Sequence, residues 1–196
     1  MKLLDDSLRL NERTGGFRGM KDIFQRFYDL YHYDLFQFLF YMVKSREQAE
    51  DLVQEVYIKV LQSYDRFEGR SSEKTWLFSI ARHVAIDWFR KQKRTADGNA
   101  IDDETVKFLL KDHAPLPEEV AIQNEQIQLM YQCMENCTVD QKLVLVLRYI
   151  QSFSIAETAD VLGWTESKVK TTQHRGLKVL KSLMEEVYNK EGMTNA

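Results

Sequence analysis

The 196-residue chain is poor in the residues that break or staple a fold: two prolines, two cysteines and eight glycines. Between Phe24 and Tyr188 the only glycines are Gly69, Gly98, Gly163 and Gly176, and the first three fall at breaks in pattern. Long glycine-free stretches with apolar residues three and four apart exclude a turn-rich β fold and point to an all-α protein. Two cysteines, Cys133 and Cys137, four apart and without a histidine at ligand spacing, argue against a zinc site and for a reduced structural pair. No apolar run approaches the length of a membrane span, and the first residues do not form a secretory leader, so a cytoplasmic location is expected. The histidines His32, His83, His113 and His174 are scattered. His83 and Asp87 lie one helical turn apart, yet no third ligand is in view, so neither a metal nor a cofactor nor a small-molecule substrate is expected.

What is present is charge in blocks. The formal net charge is −3, but the residues are not mixed evenly. Residues 82–94 carry five basic side chains against Asp87, and residues 164–181 carry five against Glu166. Between them, residues 96–120 hold seven acids and two lysines. Two cationic patches flanking an acidic connector suggest two contact points on one polyanion.

Residues 1–21 lack convincing periodicity and read as a disordered tail. Residues 22–43 hold nine of the 23 aromatic residues. Phe24, Phe27, Tyr28, Tyr31, Leu35, Phe38 and Met42 follow helical spacing and are expected mostly in a core. Ser45 and Gln48 form a capping pattern that opens the next helix. Its buried face is Ala49, Leu52, Val53, Val56 and Val60. Its outer face is an acidic stripe of Glu47, Glu50, Asp51, Gln54 and Glu55, scarcely interleaved with lysine. A solvated face is one explanation; a basic protein partner is the other, and DNA is excluded by sign.

The polar break DRFEGRSSEK (residues 65–74) precedes a helix expected over Thr75–Lys93. Leu77, Ile80, Ala81, Val84 and Trp88 face inward; Arg82, His83, Ile86, Arg90 and Lys93 line the outside. Arg90, Lys91, Lys93 and Arg94 make a cationic cluster suited to phosphates. Residues 95–116 read as a linker and Pro117 opens a second domain, residues 117–190, followed by a short tail, 191–196. In it, Val120, Ile127, Tyr131 and Met134 mark one helix, Thr138 with Gln141 caps the next, and LVLVL (residues 143–147) is its core.

The stretch from Ser154 to Lys181 has helix-turn-helix grammar. Ser154 and Glu157 form a capping box, Gly163 sits where a left-handed C-cap favours glycine, and Thr165 can cap the following helix. There Val169, Gly176, Leu177 and Leu180 share one face, while Ser167, Lys168, Lys170, Thr171, His174, Arg175 and Lys178 fall largely on the other. The second helix can enter a major groove; an amphipathic pair with a solvated basic face fits the same pattern.

In this order the motifs resemble the extracytoplasmic-function group of the sigma-70 family of initiation factors. The resemblance covers residues 22–188. Its most specific mark is Asp51-Leu52-Val53-Gln54-Glu55-Val56-Tyr57, which departs from the family only in having Tyr57 where phenylalanine is usual. Phe67–Ser72 leading into Thr75–Ala81, and the helix-turn-helix with Val169-Lys170-Thr171, are the others. YHYDLFQFLFYMVK and SSEKTWLFSIARHVAIDWFRKQ are similar to the sigma-X branch of Gram-positive bacteria. The resemblance implies a sigma2-like helical bundle (residues 22–94) and a sigma4-like helix-turn-helix domain (residues 117–190) on a flexible linker. It implies core RNA polymerase, through its β and β′ subunits, and promoter DNA as partners. Asp51, Gln54 and Glu55 would dock on the polymerase clamp helices. Phe67, Arg70, Ser72, Lys74, Trp76, Arg82, His83, Arg90, Lys91, Lys93 and Arg94 would read and melt the −10 element. The exposed residues of the last helix would read the −35 element. An anti-sigma factor, often membrane-bound, is implied as regulator, and no catalytic residue is. The alternative, a stand-alone helix-turn-helix regulator, leaves the Asp51 stripe and the Arg90 cluster without a role.

Overall fold

The computed structural model describes residues 16–98 and 131–194, and among these there are helices and turns but no strand. The expected linker beyond residue 98, the opening of the second domain up to residue 130 (with Pro117, Val120 and Ile127), and residues 1–15, 195 and 196 lie outside the described residues. The chain divides into two compact units, residues 1–88 and 89–196.

In the first unit, α1 (Gly16–Val43) and α2 (Arg46–Ser63) are followed by α3 (Glu73–Gly98), which runs on past the boundary at residue 88. α1 begins inside the stretch read as tail, and α3 runs past both ends of the helix expected over Thr75–Lys93. Arg, Lys, Gln and Ala are good helix formers, so the change of charge after Arg94 marks no backbone break. Phe27, Leu35, Phe38 and Leu39 of α1, Ala49, Val56 and Val60 of α2, and Leu77, Phe78, Ala81 and Ala85 of α3 are fully buried. The Phe38 and Phe78 rings meet edge to face at 5.4 Å and join α1 to α3. The aromatic run is only partly core: Tyr28 and Tyr33 are exposed, while Phe24 and Tyr31 are half-buried. Trp88 and Ile80 also sit at the rim rather than inside.

In the second unit a helix end at residues 131–133 tightens into a 3₁₀ turn, Met134–Asn136. Cys133 and Cys137 are buried at its two ends and form no disulfide. α4 (Val139–Leu145) starts with the Thr138/Gln141 capping box and then widens into a π segment, Val146–Ile150. The whole of Leu143–Leu147 is buried. α5 (Ile155–Leu162) and α6 (Glu166–Thr194) complete the helix-turn-helix.

α6 lies close on α4 because position 176 has no side chain. A Cβ there would stand 3.1 Å from Leu145 Cδ1 and 3.3 Å from its Cγ. Gly176→Val is therefore expected to destabilise the protein by about 1–3 kcal/mol through overpacking, read as a lower denaturation midpoint at unchanged slope. Leu177, expected on the same apolar face, is 39% exposed. It lies about 80° around the helix from Val169 at 100° per residue, at the rim of the stripe.

Candidate functional site

The helix-turn-helix is held by local bonds. Ser154 Oγ accepts from the Glu157 N–H at 3.2 Å, and Glu157 Oε2 accepts from the Ser154 N–H at 2.8 Å. Gly163 takes φ 63° and ψ 36°, the left-handed cap its position requires. Thr165 Oγ1 accepts from the Lys168 N–H at 3.2 Å and starts α6.

All seven polar residues assigned to the DNA-facing side of α6 are exposed. Their side chains differ in what they touch. Lys168 Nζ sits 3.6 Å above the Trp164 ring, Lys170 pairs with Glu166 at 3.2 Å, and Thr171 Oγ1 donates to the Ser167 carbonyl at 2.9 Å. His174, Arg175 and Lys178 have no hydrogen-bond or ion-pair partner among the described residues, which leaves them available for an external acceptor. Gln173, between them in sequence, faces the other way. It accepts from Arg148 Nε at 3.2 Å and donates to Tyr149 Oη at 3.0 Å. Arg148 also donates to the Phe153 carbonyl. These bonds tie α6 to the π segment. Sequence reasoning missed them because Gln173 sits in a polar string and its partners lie 24 and 25 residues away.

The residues assigned to the −10 region divide into two sets. Arg70, Ser72, His83, Arg90, Lys91, Lys93 and Arg94 are exposed; Phe67, Lys74, Trp76 and Arg82 are half-buried. Trp76, expected on an outer face, lies in an aromatic cluster, 5.0 Å from the Phe67 ring and 6.0 Å from the Tyr64 ring. Lys74 pairs with Asp34 at 2.8 Å across to α1. Ser72 Oγ accepts from the Thr75 N–H at 3.0 Å and so caps α3. Arg70 pairs with Glu68 at 2.6 Å within the exposed loop. His83 Nδ1 donates to the Ser79 carbonyl at 2.7 Å, which leaves Nε2 to accept from the Arg82 guanidinium. Desolvation lowers the Arg82 pKa from its ordinary value.

On α2, Asp51 is exposed, and Gln54 and Glu55 are half-buried. Two i,i+4 pairs flank the stripe, Arg46–Glu50 at 2.9 Å and Glu55–Lys59 at 3.4 Å. Asp51 has no ion-pair partner among the described residues. Behind the stripe, Tyr57 is 3% exposed and packs on the Phe24 ring at 5.2 Å and the His32 ring at 6.1 Å. Its hydroxyl is buried without a hydrogen bond, as is His32 Nδ1. Burial raises the Tyr57 pKa far above the ordinary tyrosine range and lowers that of His32, with Glu50 opposing the latter shift. Removing an unsatisfied hydroxyl while keeping the ring is stabilising. Tyr57→Phe is therefore expected to raise stability by about 1 kcal/mol, measured by chemical denaturation.

Arg26 of α1 was not anticipated. Its Nη2 donates to Glu73 Oε1 at 2.7 Å and to Tyr64 Oη at 2.5 Å. Those partners are 47 and 38 residues away, beyond what a local pattern reveals.

No group of three His, Cys, Asp or Glu side chains among the described residues could hold a metal ion. No helix among them is long and apolar enough to cross a membrane.

Two family matches cover these elements: Sigma-70 region 2 over residues 27–95, and Sigma-70, region 4 over residues 127–180. Over 168 residues the chain is 58% identical to the ECF RNA polymerase sigma factor SigX of Bacillus subtilis (strain 168), covering 85% of this chain and 86% of that one. This chain belongs to the extracytoplasmic-function sigma factors. It is 31% identical to the RNA polymerase sigma factor YlaC of the same organism, over 84% of this chain and 93% of the relative. Among solved structures it resembles the sigma factor RpoE in complex with the anti-sigma factor NepR from Bartonella quintana. That match has a TM-score of 0.64 and 25% identity, covering 83% of this chain and 96% of that one. CnrH, in complex with the cytosolic domain of CnrY, shares the fold at a TM-score of 0.61 and 17% identity. This sigma factor thus directs promoter-specific initiation by RNA polymerase. The region 2 match gives α1–α3 the role that the stand-alone regulator left empty.

Proposed function

We propose that this sigma factor docks on core RNA polymerase through the acidic face of α2, with Asp51, Gln54 and Glu55 meeting the basic clamp surface of β′. The loop at Phe67–Lys74 and the outer face of α3 read and open the −10 element. In that loop the exposed Arg70, which pairs with Glu68, is the cation closest to the assigned contact. Phe67 and Trp76 form the aromatic floor against which an extruded base can stack. Arg90, Lys91, Lys93 and Arg94 follow the phosphates. α6 lies in the major groove of the −35 element, with Lys170, Thr171, His174 and Arg175 near bases or phosphates and Ser167, Lys168 and Lys178 along the backbone. The observation that carries this assignment is the outward presentation of all seven polar residues on one side of α6, behind a helix-turn-helix closed at both ends by caps.

The residues 22–94 and 117–190 are the two working domains, with α3 running on to Gly98 into the linker, 95–116. The factor acts in the cytoplasm and performs no bond chemistry itself. An anti-sigma factor that covers both domains holds it inactive; that the similar RpoE forms a complex with the anti-sigma factor NepR supports such a partner. Run-off transcription with core polymerase and the purified chain on a genomic promoter library tests the whole assignment. Initiation at a defined set of start sites, absent with core alone, is the expected result. Random initiation would end it.

A further inference from the structure

The six residues that separate the 3₁₀ turn Tyr64–Arg66 from α3, Phe67–Ser72, carry the loop assigned to the −10 element. Both ends of that loop are joined through one side chain from another helix. Arg26 Nη2 donates to Tyr64 Oη at 2.5 Å and to Glu73 Oε1 at 2.7 Å, and Tyr64 Oη donates to the same carboxylate oxygen at 3.2 Å. Tyr64 is the first residue of the turn leaving α2, and Glu73 is the first residue of α3. The triangle closes the loop at its base and fastens the base to α1.

Beneath it lies an aromatic floor. The Tyr64 ring meets the Phe27 ring edge to face at 5.7 Å and the Phe67 ring at 6.1 Å. The Arg26 guanidinium also stands 5.8 Å from the Tyr64 ring and 5.6 Å from the Phe27 ring. The ion pair itself is open to solvent: the Arg26 and Glu73 side chains are 46% and 24% exposed. A pair in that setting contributes little to overall stability. What three mutually bonded groups on three elements do instead is remove freedom from the short segment between them. That segment contains Gly69 at φ 68°, where the backbone has the most freedom to lose.

We propose that Arg26 is a positioning residue for promoter recognition: through Tyr64 and Glu73 it holds the Phe67–Ser72 loop in the conformation that discriminates the −10 element. The inference rests on the assignment of that loop under Proposed function. Arg26 itself touches no DNA and lies outside the docking stripe on α2.

The test measures open complexes formed by the full chain with core polymerase on a matched promoter and on one carrying a single −10 substitution. Arg26→Met is expected to lower the ratio between the two about tenfold, the scale of coupling within one bonded network. Affinity for core polymerase should stay unchanged. Arg26→Glu should behave likewise, and Arg26→Glu combined with Glu73→Arg should restore discrimination. A merely structural role would lower activity on both promoters equally and leave the ratio intact. That outcome, or a charge exchange that rescues nothing, overturns the clamp. Phe67→Ala and Arg70→Ala serve as reference. If they lower discrimination while Arg26→Met does not, the clamp falls and the loop assignment stands. If they too leave the ratio intact, both fall.

Discussion

Replacing Asp51 and Glu55 together by lysine abolishes binding to core polymerase and leaves the fold intact. The first half of that expectation rests on sign. Like charges facing each other across an interface cost several kcal/mol, and two reversals on one helical turn act on the same patch. The second half rests on burial and partners. Asp51 is exposed and makes no ion pair among the described residues. Glu55 is half-buried and gives up only its contact with Lys59 at 3.4 Å, an exposed i,i+4 pair of about 0.3–0.5 kcal/mol. The residues that hold α2 in place are on the other side, Leu52, Val53, Val56 and Val60, and are untouched. Binding is measured by co-purification and by titration of labelled factor into core enzyme, with the circular-dichroism melt as the check on folding. A double variant that melts normally and binds core as the parent does would refute the docking assignment.

Arg175→Ala should weaken binding to the −35 element by about 1–3 kcal/mol and relax preference at a single base pair. Arg175 is the strongest candidate on α6 because it is exposed and carries no intramolecular partner among the described residues, and its planar fork matches a guanine edge. Lys170 begins from a different state. Its ammonium is 3.2 Å from Glu166, so part of any contact with DNA replaces an existing attraction, and Lys170→Ala should cost less. Lys178→Ala should weaken all sequences alike and reduce the salt slope by about one. Competition assays over every single-base variant of the −35 element, at several salt concentrations, separate these outcomes. A loss with Arg175→Ala that is uniform over all variants would move Arg175 from bases to phosphates.

How much of this was legible in the sequence followed the range of the interaction. Caps were legible, since Ser154–Glu157, Thr138–Gln141 and Gly163 each work within four residues. So was the sidedness of α6, because periodicity alone decides which residues a packed helix turns outward. Three kinds of feature were not. Helix ends were missed at both extremes: α1 reaches back to Gly16 through a glycine-containing stretch, and α3 runs on to Gly98 because the change of charge after Arg94 breaks no helix. Ser72, assigned to the −10 element on resemblance, also caps α3 through its hydroxyl, which accepts from the Thr75 N–H. Lys74, assigned to the same element, is paired with Asp34 of α1, forty residues earlier. Contacts between distant parts of the chain were invisible: Arg26 with Glu73, and Gln173 with Arg148, join residues that no local pattern connects.

The π segment also went unseen, since Val146–Ile150 reads as ordinary apolar helix. The Gln151 N–H bonds back to the Val146 carbonyl at 2.9 Å, five residues earlier. Such a widening amounts to one additional residue accommodated within a helix. Here the extra residue turns Arg148 toward Gln173 and is followed by Ser152 at φ 59°. Excising one residue from this stretch would return it to ordinary α-helix and carry Arg148 off its partner. The five-residue swelling is thus a shim between α4 and α6, held there through Arg148 and Gln173. Efforts to retarget this factor by exchanging side chains on α6 alone would keep the aim that the shim imposes.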